Sequence, residues 1–422
     1  MLAPKSKPGT QAKARCSGPK PLTQQAMALL RQGLLHVFGA LGLLLCACQV
    51  GAQAAPGAEA AAASGAPPAS VPAQTPAAVP AADVSSPLLT TNPKPAARWV
   101  AVPRIRGHLV AADLGLVINT ADPYSVAVGA YYIEKRGIPP EQVLRVELPV
   151  QAHLGVAEFG ALYAQVRDFM GPQVQALALA WSQPYAVGCN AITAALTLGY
   201  APEACAKTCA PTKPSRYFNS PSTRPFADLG LRPSMLLASR SVESAKALID
   251  RGVASDQQLG KRGVPMAHAV FVTTKDTARN VRHVLFPPEG PMGKLGAQVQ
   301  VRTPDDADAV DRVFMYQTGL TRVRHPERVQ WLPGALADHL TSHGGQLLAT
   351  EGQMSALDWL ESGATASYGT VSEPCNHLQK FPHPQVLLLH YVQGATAIEA
   401  YWRSVAWPAQ GVFVGEPLAA PF

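Results

Sequence analysis

Four residues of types that do acid–base or nucleophilic chemistry fall near one another in the C-terminal part of the chain: Asp338 with His339, and Glu373 with Cys375. A carboxylate beside an imidazole can act as an acid–base or metal-binding pair, and a thiol near an imidazole can be activated as a nucleophile. Asp338 and His339 are adjacent, so within a strand they point to opposite faces; only at a strand end can both reach one pocket. Each also has a structural reading, as a capping Asp and a hydrogen-bonded His that settle a loop. Tyr316 and Thr318 carry hydroxyls that can bind a ligand or cap a strand. Far upstream, Asn119, Thr120 and Asp122 form a polar loop over a helix start, which could hold an anion. Turn chemistry accounts equally well for Asp122-Pro123.

These residues need elements to position them. An apolar run from Val313 to Gln317 reads as a strand, and a second follows at about 335–342, closed by Gly344-Gly345. An amphipathic helix is expected over 353–362, then a strand of small residues over 363–371, where backbones pack closely or line a site. Polar clusters at the ends of consecutive strands are where open α/β sheets place ligands.

Upstream, strand and helix patterns alternate. The continuous apolar run 114–119 reads as a strand buried on both faces, and a helix follows from about Ser125 to Arg136, stopped by Gly137. Further strands are expected over 143–148, 174–181, 234–239, 268–273 and 298–302. Helices are expected over 156–170 and 192–198, over 242–251 with Gly252 as the stop, from about Asp305, and over 396–404. The pattern predicts an α/β fold: a three-layer sandwich with a mainly parallel sheet between helices. The segment 199–230, rich in Pro with little periodicity, reads as an insertion into a single domain spanning 98–422.

The N-terminal quarter stands apart. Residues 1–31 carry six basic residues and no acid, an apolar run follows from Leu34 to Cys48, and Ala52-Gln53-Ala54 closes it. This is the pattern of a secretory signal peptide, with a retained N-terminal anchor or membrane tether as the alternative. At about 15 residues the run is shorter than the roughly 20 a membrane-spanning helix needs. Leu45-Cys46-Ala47-Cys48 also has the form of a lipobox, which would lipidate Cys48. Residues 55–97, dominated by Ala and Pro, read as a disordered linker. Without the first 54 residues, 29 basic residues face 28 acidic ones, so nothing points to nucleic acid as a partner.

Four cysteines remain beyond the signal: Cys189, Cys205, Cys209 and Cys375. An even number in an exported chain favours disulfides. The pairing expected is Cys205 with Cys209 and Cys189 with Cys375. Zinc held partly by Cys375 and His377 is the competing reading, although the spacing of the other cysteines fits no common zinc module. No phosphate-binding loop, dinucleotide fingerprint, Gly-x-Ser-x-Gly elbow or HExxH is present, so no cofactor is called for.

The order of the C-terminal motifs resembles the caspase–gingipain class of cysteine peptidases, its gingipain-type branch in particular. The matching segments are Tyr316-Gln317-Thr318-Gly319, Leu336-Ala337-Asp338-His339, Gly363 to Gly369 (GATASYG) and Gly415-Glu416-Pro417, with 238–252 upstream. The resemblance implies a catalytic His at the first strand end and a catalytic Cys at the next. This chain has Leu320 at the first position and Asp338-His339 at the second, so standard cysteine peptidase activity is not expected. Segments such as DPYSVAVGAYYIEKRGIP and GATASYGTVSEPC also resemble a family of bacterial proteins from species with exosortase-type protein-sorting systems, which implies an envelope setting and no particular activity. Two functions fit. One is a binding or accessory protein that holds a peptide or sorting-related protein ligand. The other is a hydrolase, peptidase or amidase, with rewired residues drawn from Asp338, His339, Glu373 and Cys375.

Overall fold

In the computed structural model, residues 98–304, 310–349 and 352–422 are described. The signal, lipobox and linker expectations, and the short helix expected from Asp305, concern residues outside that set. The first half supplies β1 (Leu114–Asn119), α1 (Pro123–Arg136), β2 (Val143–Val146), β3 (His153–Leu154), α2 (Val156–Phe169) and β4 (Ala176–Leu179). Next come β5 (Ala186–Val187), β6 (Asn190–Ala191), α3 (Ile192–Leu198), α4 (Glu203–Ala206), α5 (Pro225–Leu229), β7 (Ser234–Leu236) and α6 (Val242–Ser255). The second half has β8 (Ala267–Val272), β9 (Gly290–Pro291), β10 (Ala297–Arg302), β11 (Val313–Gly319) and β12 (Trp331–Leu340). It closes with α7 (Ala356–Ser362), β13 (Ala366–Thr370), α8 (Pro384–Tyr391), α9 (Ala397–Ser404) and β14 (Gly411–Gly415).

Eleven strands form one sheet in the order β2-β1-β4-β7-β14-β13-β12-β11-β8-β10-β9, and β3, β5 and β6 form a small separate one. Neighbours in the large sheet are parallel except at β13–β14 and at the edge hairpin β9–β10. Alternation along each strand sends side chains to two cores. Ala176 and Ala178 of β4 join α1, α8 and α9 on one face, while Leu177 and Leu179 join α2 and α3 on the other. The architecture is the α/β three-layer arrangement expected from the alternation of elements.

The antiparallel β13–β14 step has a consequence that periodicity does not carry. Because β14 is parallel to β7 and antiparallel to β13, the strands on its two sides run in opposite directions. The C-terminal end of β1 therefore lies at the opposite sheet edge from the C-terminal ends of β11, β12 and β13.

Helix α6 also departs from expectation. It runs on to Ser255 instead of stopping at Gly252. Gly252 is a packing residue, since a Cβ there would come within 2.6 Å of Glu416 Oε2. Glu416 itself is more than the turn residue expected of Gly415-Glu416-Pro417. It is buried and accepts hydrogen bonds from Tyr132 Oη at 2.7 Å and Arg136 Nε at 3.0 Å.

A second glycine contact fixes the edge near the candidate residues. The Gly344-Gly345 turn lies directly on Gly369 of β13, where a Cβ would sit 2.6 Å from the Gly344 oxygen, and Gly345 N donates to Thr370 O at 2.9 Å. Backbone cannot yield as a flexible side chain can. Gly369→Ala should therefore lower unfolding free energy by about 1–3 kcal/mol in urea titration; a change under about 0.5 kcal/mol would contradict this packing.

Candidate functional site

The parallel register of β11 and β12 places Gln317 beside Asp338, Thr318 beside His339 and Gly319 beside Leu340. All six are fully buried or partners of buried strands, and the two candidate catalytic residues part company here. Asp338 shares a face with Leu336 and Leu340, and His339 shares the other with Ala337. They remain within the strand, so no common pocket forms between them.

On its face, Asp338 is paired with Arg282, which stands on the short 3-10 helix Asn280–Leu285. Both are about 1 % exposed. Gln317 Nε2 donates to the other carboxylate oxygen at 2.7 Å, and the Tyr401 hydroxyl, which donates to Ala366 O at 3.4 Å, lies close by. Arg282 in turn donates to the Thr318 carbonyl at 2.8 Å and the Pro382 carbonyl at 3.3 Å. Burial is the largest influence on the Asp338 carboxyl and raises its pKa above the usual 3.8, against the pull of Arg282, Gln317 and Tyr401. Arg282 ties β11, β12 and the loop before α8 together through one guanidinium.

On the opposite face, His339 has both ring nitrogens occupied. Trp359 Nε1 donates to Nδ1 at 2.9 Å, which fixes the proton on Nε2, and Nε2 donates to the Met354 carbonyl at 3.1 Å. Burial, with the Arg282 charge second, pushes the pKa down from 6.5 to about 4, so the ring is neutral at physiological pH. The same aromatic cluster takes in Tyr316, whose ring lies 5.2 Å from Trp359 and 6.1 Å from Trp331. Thr318 Oγ1 donates to Val272 O at 3.1 Å, and half-buried Leu320 packs against this core.

Glu373 closes a turn by accepting the Cys375 N–H at 2.8 Å. Cys375 is bonded to Cys209, and Cys189 to Cys205. This corrects the expected pairing of Cys205 with Cys209 and Cys189 with Cys375. The insertion is fastened at both of its cysteines to segments outside it rather than stapled to itself. Cys375 consequently offers no thiolate to a metal, and the His377 ring packs against Trp407 at 5.8 Å. Among the described residues, no three His, Cys, Asp or Glu side chains are grouped to hold a metal ion.

Asn119 and Asp122 sit at the opposite edge and organise their own loop. Asn119 Oδ1 accepts from Ala121 N and Leu148 N, its Nδ2 donates to Leu148 O, and Asp122 caps α1 through Tyr124 N. At the β12 end, beyond the buried pair, lie half-buried Ser342 and His343. Gln353 Oε1 holds this segment by accepting from Thr341 Oγ1 at 2.6 Å and His343 N at 2.7 Å. Arg282 and Gln317 are what sequence reasoning missed. The one available signal was the carboxylate within ALADHL, a strand otherwise apolar enough to demand a buried partner.

The fold defined here is a mixed α/β one, with a large mostly parallel sheet covered on both faces. No family model matches the chain, and no curated protein is similar to it at a significant level. Among solved structures it is similar to the complex of RgpB pro- and mature domains from Porphyromonas gingivalis, with 11% identity, a TM-score of 0.41, and 72% of this chain and 79% of that one covered.

Two outcomes test the buried pair and the buried imidazole. Asp338→Ala strands a guanidinium in the core and should cost about 3–5 kcal/mol in chemical denaturation, while Arg282→Met/Asp338→Leu should recover part of that loss. For His339, the folded pKa of about 4 lies below the ordinary 6.5, so the unfolded chain binds the extra proton between those values. Its contribution is complete above pH 6.5 and fades as pH falls toward 4, by roughly 3 kcal/mol in all. His339→Gln, which keeps a donor and an acceptor, should flatten the stability profile in that window; an unchanged slope would show the imidazole is not neutral and sealed.

Proposed function

We propose that this chain is an exported binding or accessory protein of the cell envelope, built on a caspase/gingipain-like scaffold and holding a peptide or sorting-related protein ligand. One observation carries the reading: both nitrogens of His339 and both carboxylate oxygens of Asp338 are taken up by buried internal partners. A general base needs a free lone pair within reach of substrate. The two disulfides support an oxidising compartment, as does the basic and apolar N-terminus. An association with exosortase-type sorting rests on the sequence resemblance.

The hydrolase reading turns to Ser342 and His343, two half-buried residues at the β12 end whose types can do such chemistry, with the His343 ring 3.4 Å from Gln346 Nε2. The test is a mixed library of peptides, amides and esters incubated with the purified chain, with products followed by mass spectrometry. No turnover above buffer is expected. Turnover lost in Ser342→Ala or His343→Ala would overturn the accessory reading in favour of a hydrolase. Export is checked separately by fusing residues 1–97 to alkaline phosphatase, which should be active; an inactive, well-expressed fusion would remove the envelope setting.

A further inference from the structure

Lys380 is a buried primary amine that neither reading uses. It stands in the 3-10 turn Leu378–Lys380, and its Nζ donates to the Thr208 carbonyl of the insertion. Burial lowers its pKa from 10.5 to about 8, opposed by the nearby Glu373 carboxylate. The question is what covers it.

The carbonyl that meets the amine belongs to Thr208, in the segment 206–214. Cys205 anchors one end through its disulfide to Cys189, and Ser215 N anchors the other by donating to Ala406 O at 2.8 Å. Between these anchors, among the described residues, two polar or covalent links join the segment to the rest of the domain. They are the Cys209–Cys375 disulfide and the Lys380–Thr208 hydrogen bond. Its own internal bond, Ala210 N to Lys207 O, does not fasten it to anything. Nor is it well packed below. A cavity of about 240 Å³ is lined by Ala210, Pro211 and Thr212 of this segment together with Ala194 and Leu198 of α3, and the Thr212 hydroxyl is buried without a partner. Segments with few packed contacts and few hydrogen bonds open at low free-energy cost once a clasp is removed. The clasp is reachable, since Cys209 is exposed and Cys375 half-buried.

We propose that residues 206–214 form a flap clasped by Cys209–Cys375, and that reduction of this bond by a dithiol opens the flap and uncovers the Lys380 amine. In the step, a thiolate of the dithiol attacks the sulfur of exposed Cys209, and Cys375 leaves as a thiolate and takes up a proton. The second thiol of the reductant then displaces Cys209 from the mixed disulfide. The protein gains two electrons and two protons, and the dithiol becomes a disulfide. The Cys189–Cys205 bond remains as the hinge-side anchor.

The test compares the full chain in its oxidised form with Cys209→Ser/Cys375→Ser, which is open without any reductant. Both are acetylated briefly with an N-hydroxysuccinimide ester, and Lys380 is quantified by peptide mass spectrometry against exposed Lys246 and Lys275. At least a tenfold faster acetylation of Lys380 in the variant is expected, with the reference lysines unchanged. Equal rates in the two forms would overturn the proposal. Amide hydrogen exchange separates opening from unfolding: faster exchange confined to about 206–214 supports the flap. Faster exchange through β13 and β14 as well would overturn it, because the bond would then be holding the domain together rather than latching one segment.

Discussion

Asp338 lies in the middle of the sheet with no solvent to stabilise its charge, and that single burial dictates much of what surrounds it. An ionised carboxylate in a low-dielectric interior is tolerated only with a cation and further donors. Arg282 meets the first need and Gln317 the second. The terminal nitrogens of Arg282 in turn find acceptors on Thr318 and Pro382, while its buried Nε has no partner. The pair thereby fixes the β11–β12 register, the position of the 280–285 turn and the approach to α8. Replacing such a pair by apolar side chains need not lower stability, so its physical role is to specify one arrangement among several compact ones.

Two other buried ion pairs repeat the device at different joints. Arg136 and Glu416 lock the end of α1 to the end of β14, and Arg403 and Glu399 brace α9 internally while Glu399 accepts Leu109 N from the stretch before β1. Where charges do not join segments, backbone does. The Gly344-Gly345 turn on Gly369 and the α6 backbone on Glu416 are approaches that any side chain would prevent. At Gly369 the small residue in the strand is explained by the neighbouring Gly344-Gly345 backbone.

The fold was legible in the sequence to the extent that it rests on local patterns. Continuous apolar runs mark β1 and β4, and Gly137 does adopt a left-handed conformation at the end of α1, although that helix starts two residues before Ser125 and is capped by Asp122 instead. What failed depended on partners distant in the chain. Gly252 has the same local signature as Gly137, yet it lies inside α6, where its missing side chain makes room for Glu416. Disulfide pairing is likewise a tertiary fact: nearness in sequence favoured Cys205 with Cys209, yet Cys209 reaches across 166 residues to Cys375. The reversal of direction at β13–β14 is invisible to periodicity, and it places Asn119 and Asp122 at the opposite edge from the ends of β11, β12 and β13.

The same distinction governs the candidate site. Polar residues near strand ends were legible, but whether they face solvent depends on how many residues of the strand remain within the sheet. Here β12 continues to Leu340, so Asp338 and His339 fall inside it by one or two positions and are sealed. A shift of that size moves an imidazole from a catalytic position to a core hydrogen bond, with the same residue types and the same spacing. The chemistry available to solvent at this edge therefore begins after the strand, with Ser342 and His343 on a segment pinned by Gln353 and by the glycine contact beneath it. Any ligand taken up at this edge would meet a surface fixed by backbone packing, whose polar groups project from a turn rather than from a cleft between two strand ends.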